Sequence, residues 1–171
     1  MNKLLAILGV LLCVGGFSGC GDDREAAPAP HPNYTPELRA FDVVDSNGTD
    51  TAIPSHPPLI LDRYLNEGLF GIFWDVDSLE DYKVSLRIND RTSIKDSLVV
   101  YSQWCGAGRS CDQSGSWVCE YTTDLYLSCG NSSFDLYSVV DKLPEQVYLF
   151  IEVCDVNSNY CEYDYYPVTL Y

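Results

Sequence analysis

The sequence predicts an all-β domain, an antiparallel β-sandwich crosslinked by three disulfides. Short apolar segments recur along the chain with turn-forming residues between them, a pattern typical of sandwiches and barrels. No window carries the apolar spacing of an amphipathic helix. Six cysteines follow residue 100, and an even number of cysteines in an exported chain favours a disulfide framework.

The first residues predict a leader and not a strand. The apolar run over residues 4–17 follows a basic start and is shorter than the roughly 20 residues of a membrane-spanning helix. The small residues Ser18 and Gly19 stand directly before Cys20. This arrangement resembles the lipobox of bacterial lipoproteins, with Phe17 in place of the usual leucine. The resemblance implies cleavage after residue 19 and acylation of Cys20, whereas plain cleavage with a Cys20 thiol is the alternative.

The residue that follows Cys20 predicts the destination. A single acyl chain binds a membrane only marginally at about 0.8 kcal/mol per buried methylene, so the two or three chains of a lipoprotein anchor it essentially permanently. In Gram-negative lipoproteins an aspartate after the cysteine favours the inner membrane, and here Gly21 stands in that position. The resemblance therefore implies a lipid-anchored protein of the outer membrane.

Residues 20–36 predict a tether in front of a domain that spans residues 37–171. The tether carries four prolines, a composition typical of extended spacers of about 3 Å per residue. Removal of the leader takes away Lys3 and no acid, so the net charge changes from −15 to −16. Such a surface repels nucleic acid and anionic headgroups and attracts cations or a basic protein, although solubility alone also explains it.

Ten segments are predicted as strands. The clearest alternation runs from Tyr82 to Ile88, where apolar residues alternate with Lys83, Ser85 and Arg87. Val147–Val153 is apolar on both faces, as expected for a central strand covered on both sides. The other segments are Leu38–Val44, Leu59–Leu61, Leu69–Val76, Leu98–Trp104, Trp117–Tyr121, Leu125–Cys129, Leu136–Val140 and Tyr163–Leu170.

Six cysteines allow 15 complete sets of three disulfides. The strand pattern favours one particular disulfide. A turn over residues 156–159 would fold the last two strands together so that paired residue numbers sum to 315, which places Cys154 opposite Cys161 within disulfide range. A zinc site is the rival, but no pair has the spacing that zinc ligands prefer. The remaining expected pairs are Cys105–Cys111, which closes a glycine-rich loop, and Cys119–Cys129, which follows by elimination.

Several stretches resemble fibronectin type III and related immunoglobulin-like modules. Residues 73–76 match the second strand of the family with its buried tryptophan, here Trp74, and Tyr82-Lys83-Val84 matches the third strand. Residues 143–148 resemble the corner before the sixth strand, where a tyrosine hydroxyl bonds back to the chain. The resemblance implies an immunoglobulin-like sandwich over roughly residues 57–171. It implies no binding site, because such sandwiches carry many functions.

No catalytic constellation stands out, and the sequence predicts a protein that is not an enzyme and uses no cofactor. The two histidines are His31, in the tether, and His56, in a proline-rich turn, and neither accompanies a nucleophile motif. A small hydrolase that uses paired carboxylates is an alternative, because acids are plentiful.

Calcium is the strongest metal hypothesis. Asp42, Asp45, Asn47 and Asp50 offer oxygen ligands at short spacing around Gly48, although their order is not that of an EF-hand. A turn at the Asn47-Gly48 pair explains the same residues without a metal. The turn is therefore the favoured interpretation.

The candidate binding residues are Trp104, Arg109 and Trp117. They flank and tip the glycine-rich loop, where exposed rings are expected to stack on a sugar or on a partner's surface. In the tyrosine-rich segment Tyr160–Tyr171, half of the rings are expected to face the core, which favours a core strand with an amphipathic edge over an interface.

The predicted function is an outer-membrane lipoprotein that contacts an envelope protein or a glycan. Its membrane contact is expected through the acyl chains, and no nucleic acid is expected as a partner. The second function class is an acidic inhibitor of a basic envelope-active enzyme such as a lysozyme, whose affinity would fall steeply with salt.

Overall fold

The computed structural model describes residues 35–46, 58–64, 68–78, 80–158 and 160–171. The leader, Cys20, both histidines, Asn47 and Asp50 lie outside these ranges. Within them no helix is long and apolar enough to cross a membrane. The strands are β1 (Glu37–Asp45), β2 (Leu59–Leu61), β3 (Leu69–Asp77), β4 (Tyr82–Asn89), β5 (Leu98–Cys105), β6 (Ser114–Tyr121), β7 (Tyr126–Cys129), β8 (Ser132–Asp135), β9 (Glu145–Asp155) and β10 (Cys161–Leu170).

The strands form two five-stranded sheets, which confirms the predicted β-sandwich. The first sheet has the order β1-β3-β6-β7-β8 and the second has the order β2-β10-β9-β4-β5. All neighbours are antiparallel except β2, which pairs with β10 in parallel. Strands β1, β3 and β6 in one sheet and β4, β9 and β10 in the other follow the order of an immunoglobulin-like sandwich.

One predicted strand is wrong, and one strand was missed. Leu136–Val140 was expected to be extended, but Leu136–Ser138 forms a 3₁₀ turn. The Asp135 carboxylate accepts a hydrogen bond from the amide of Tyr137 at 2.9 Å, so it caps this turn. The missed strand is β8, Ser132–Asp135, whose sequence is mostly polar and gives no alternation signal.

The core between the sheets is centred on aromatic rings. Trp74 of β3 and Trp117 of β6 lie 4.3 Å apart between ring centroids, and Tyr101 of β5 meets Trp117 edge-on at 5.1 Å. The Trp117 Nε1 donates to Oε1 of Gln103 at 2.8 Å. Gly115 makes room for Trp74, because a Cβ there would lie 2.3 Å from the indole. The tryptophan that the family resemblance implied is therefore buried as expected.

The three predicted disulfides are confirmed. The Cα atoms are 4.9 Å apart in Cys105–Cys111, 4.3 Å in Cys119–Cys129 and 4.1 Å in Cys154–Cys161. The last two join directly opposed residues of adjacent strands. Every pair between β9 and β10 has residue numbers that sum to 315, as the turn predicted. Each of these two cross-strand disulfides therefore reinforces the register of the hairpin that contains it.

The outer face of β9 explains why this strand is apolar on both sides. Val147, Leu149, Ile151 and Val153 fill the core, whereas Phe150 points the other way and is still fully buried. The rings of Tyr163 and Tyr165 on β10 lie 6.1 and 5.7 Å from the Phe150 ring. Part of the cover of this face thus comes from side chains of the neighbouring strand.

Tyr148, which the family resemblance placed at a corner, lies within β9. Its ring packs edge-on against Tyr165 with the centroids 5.8 Å apart. In this position the ring extends the aromatic surface on the outer side of the second sheet.

Replacing Trp117 by alanine should lower the free energy of unfolding by about 3–5 kcal/mol, because it empties a site in the aromatic core and leaves Gln103 without its partner. Trp104 is 49% exposed, so Trp104→Ala is the matched control and should cost under about 1 kcal/mol. Urea unfolding followed by circular dichroism measures both values. Equal losses for the two variants would contradict the placement of the two rings.

Candidate functional site

The structure separates the three candidate binding residues. The expectation of an exposed ring at Trp117 is wrong, since this side chain is only 5% exposed and belongs to the core. The reason is the alternation along β6, where Trp117 shares the inner face with Cys119 and Tyr121. This signal was present in the sequence, because Trp117, Cys119 and Tyr121 alternate with other residues along one strand.

Arg109 lies in the loop that Cys105–Cys111 closes, and its charge is paired. Its Nη2 donates to the Asp81 carboxylate at 2.7 Å, and its amide donates to the carbonyl of Gly106 at 3.0 Å. The hydrogen bond to Asp81 raises the pKa of Arg109. The guanidinium therefore ties the loop after β5 to the loop before β4.

Trp104 is on the surface, and its neighbours define where. It stands directly opposite Lys83 of β4, while the next pair, Tyr82 and Cys105, points into the core. Because side chains alternate along a strand, Trp104 lies on the outer face of the second sheet. The expected exposure of Trp104 is thus confirmed. The ring shares this outer face with side chains from the other strands of the sheet.

The outer side of the second sheet forms one continuous surface, which we call the aromatic face. In one row of paired residues across the four strands, Tyr163 pairs with Glu152, which pairs with Ser85, which pairs with Ser102. The next row begins at Tyr165. The aromatic face consists of Lys83, Ser85, Arg87, Val99, Ser102, Trp104, Tyr148, Phe150, Glu152, Tyr163 and Tyr165.

The centre of the aromatic face is polar and held in place. Arg87 Nη1 donates to Glu152 at 3.0 Å, and its other nitrogens donate to the hydroxyl and carbonyl of Ser97 at 2.7 and 2.9 Å. Ser102 donates to Ser85 at 2.9 Å, and Ser85 is only 2% exposed. These bonds hold the side chains at the centre of the aromatic face in defined positions.

The margins of the aromatic face carry exposed rings. Trp104 stands on β5, and Tyr163 and Tyr165, which are 50% and 42% exposed, stand on β10. Three strand spacings of roughly 4.8 Å separate these two strands, which places the rings about 14 Å apart across the sheet. Flat aromatic margins around a fixed arginine have the composition that protein interfaces favour.

The tyrosines at the end of the chain are more exposed than the sequence suggested. Of the five in Tyr160–Tyr171, Tyr166 is buried and the other four are exposed. Tyr160 lies before β10 begins, and Tyr171 lies after it ends. In the first half of β10, Glu162 and Asp164 occupy the positions that alternation assigns to the inner side of the sheet.

The turn between β9 and β10 fixes the position of these rings. The Asp155 carboxylate accepts from the amides of Asn157 and Ser158 at 3.1 and 2.9 Å. Hydrogen bonds from Ser158 and from the Asn157 amide lower the pKa of Asp155 below its usual value. The charged form of Asp155 thus holds the predicted turn.

The structure does not bring the described calcium candidates together. Asp42 and Asp45 are three residues apart in β1, so alternation directs their side chains to opposite faces. Asn47 and Asp50 lie outside the described residues. A calcium site at this turn stays a prediction without support from β1.

One other cluster has the composition of a metal site. In the part of the chain that the structure describes, ligand atoms of Glu152, Cys154 and Cys161 lie within 4.8 Å of one another. The two cysteines form a disulfide, and a cysteine binds a metal through its free thiolate. This cluster therefore does not act as a metal site while it is oxidised.

Two features of the site were beyond the sequence. The Arg87–Glu152 pair joins residues 65 positions apart, and residue spacing alone does not show that β4 pairs with β9. The burial of Phe150 depends on the same arrangement of strands. The strand alternation does assign Arg87, Phe150 and Glu152 to the outer face.

The chain matches no known family model, and no curated protein matches it. The function of the aromatic face is therefore inferred from its own geometry.

Proposed function

We propose that this chain is an outer-membrane lipoprotein, acylated on Cys20, whose sandwich domain binds a partner protein through the aromatic face and catalyses no reaction. The observation that carries the proposal is the exposure of Trp104, Tyr163 and Tyr165 on the side of the second sheet that the core does not use. The lipobox-like residues before Cys20 support the anchor.

Exposed rings on one face favour a contact function. An aromatic side chain buries roughly 150–250 Å² when covered. Covering the exposed parts of these rings with a partner would therefore contribute favourable free energy to binding. Tryptophan, tyrosine and arginine are also the residues that contribute most in protein interfaces. Arg87 supplies the arginine at the centre of the aromatic face.

The rigidity of the aromatic face favours binding further. Tyr163 and Tyr165 pack against Phe150, and Arg87 is held by Ser97 and Glu152. Ordering a flexible side chain costs roughly 0.5–1.5 kcal/mol on association. Groups that are already ordered avoid most of this cost.

The charge of the chain selects among partners. The net charge of −16 on the cleaved chain repels acidic surfaces and accelerates association with basic ones. A basic enzyme of the envelope is one partner of this kind. The association rate with such a partner is expected to fall as salt is added.

The anchor predicts a specific mass for the mature protein. The purified chain should be heavier than residues 20–171 by a lipid group that carries two or three acyl chains, because stable anchoring needs more than one chain. Intact mass spectrometry measures this value, and Cys20→Ser is the control that should carry no lipid. A wild-type mass without acyl chains would contradict the anchor.

Photo-crosslinking tests the contact surface. A photoreactive aromatic residue in place of Tyr165 should form a covalent adduct with one protein in intact envelopes, since Tyr165 lies on the aromatic face. Val118, which is 72% exposed on β6 of the other sheet, is the matched control position and should give no such adduct. Gel electrophoresis and mass spectrometry identify the products.

Two outcomes of this experiment would contradict the proposal. The same adduct at both positions would mean that the aromatic face has no special role. An adduct with a glycan alone, or no adduct at position 165, would remove the protein partner.

A further inference from the structure

Part of one edge of β10 lacks a neighbouring strand. β9 covers one edge of β10 along its full length, but β2 covers the other edge only at Val168, Thr169 and Leu170. Among the described strands none pairs with this second edge between Glu162 and Tyr165. The nearby β1 belongs to the other sheet and pairs with β3.

The backbone direction at this edge follows from a hydrogen bond made by the residue directly after the strand. The amide of Tyr171 donates to the Leu61 carbonyl of β2 at 3.0 Å. Alternate residues of a strand direct their backbone groups to the same side, and the pairing of β10 with β9 contains no bulge. Tyr163 and Tyr165 therefore direct their N–H and C=O groups to the open edge.

A groove accompanies the open edge. It has a volume of about 310 Å³ and is lined by Leu38–Phe41 of β1 and Cys161–Asp164 of β10. One side-chain bond crosses it, from the amide of Leu38 to the Glu162 carboxylate at 2.9 Å. An extended chain rises about 3.3 Å per residue, so a segment of about four residues matches the open stretch.

The charges around the groove select its occupant. Glu162 and Asp164 border it, and the cation of Arg39 is paired with Asp77. The Asp164 carboxylate covers the open edge by accepting from the Tyr165 amide at 2.7 Å. A second copy of the chain would bring its own two acids to the same place. Charge complementarity thus favours a basic segment from a different protein over self-pairing.

We infer that the partner docks through an extended segment carrying lysine or arginine, which adds a strand to the second sheet along the edge from Glu162 to Tyr165. The inference rests on the proposed function and describes how the partner is held. The segment would replace Asp164 as the partner of the Tyr165 amide, and the released carboxylate would pair with a basic side chain. Its outward side chains would lie beside Tyr163 and Tyr165, continuous with the aromatic face.

A synthetic peptide tests strand addition. The probe is an acetylated seven-residue peptide of alternating lysine and valine, titrated into the isotope-labelled protein. Binding should shift the amide resonances of Tyr163 and Tyr165 in nuclear magnetic resonance spectra. The same peptide with every backbone nitrogen methylated keeps its charge and loses its donors, so it should bind at least about tenfold more weakly.

A pair of double variants separates local from general charge effects. Glu162→Gln with Asp164→Asn should weaken binding of the peptide about tenfold, because both carboxylates that would pair with its lysines are lost. Asp124→Asn with Asp141→Asn removes two exposed acids at the other end of the sandwich and should leave the affinity unchanged. Each double variant changes the net charge by the same amount.

Three results would overturn strand addition: equal binding of the methylated peptide, equal weakening by both double variants, or no shift at Tyr163 and Tyr165. These failures are distinguishable from failure of the proposed function. If a protein adduct forms at position 165 and the peptide fails these tests, the aromatic face binds a partner by side chains alone. If no adduct forms, the proposed function itself is lost.

Discussion

The pairing of β9 with β10 in a single register determines the chemistry of the second sheet. This register places Cys154 opposite Cys161 and sets Tyr163 and Tyr165 beside Phe150 on the outer face. A slip of one residue would turn every side chain of β10 to the other face. The Asp155 turn and the disulfide lie at the same end of the hairpin and both oppose such a slip. The core, the aromatic face and the direction of the open backbone edge all depend on this one arrangement.

The two faces of the second sheet differ in burial and composition. The inner face belongs to a core in which indole and phenol rings pack with little space, so the sandwich is complete without the outer rings. On the outer face, the Arg87–Glu152 pair and the two serines form a fixed centre. The exposed rings at the margins then remain available for contact.

Much of the fold could be predicted from the sequence, because its signals are local. Alternation in Tyr82–Ile88 and the turn after Asp155 identify strands and a register, and the register in turn identifies one disulfide. Trp117 lies in the core because the alternation of its own strand, and not its position beside the loop, decides which way its side chain points. The Arg87–Glu152 pair depends on which distant strands become neighbours, and residue spacing alone does not contain that information. For the same reason the open edge of β10 became visible only with the sheet order.

The most direct test of this account is tyrosine nitration of the purified protein and of the protein in isolated envelopes, with the modified residues located by mass spectrometry. Tyr163 and Tyr165 should be nitrated in the purified protein and protected in envelopes. Tyr166 should be protected in both preparations, and Tyr137, which is exposed in the turn after β8, should be nitrated in both. Nitration of Tyr163 and Tyr165 to the same extent in both preparations would contradict the proposed contact, because the aromatic face would then be uncovered in the envelopes.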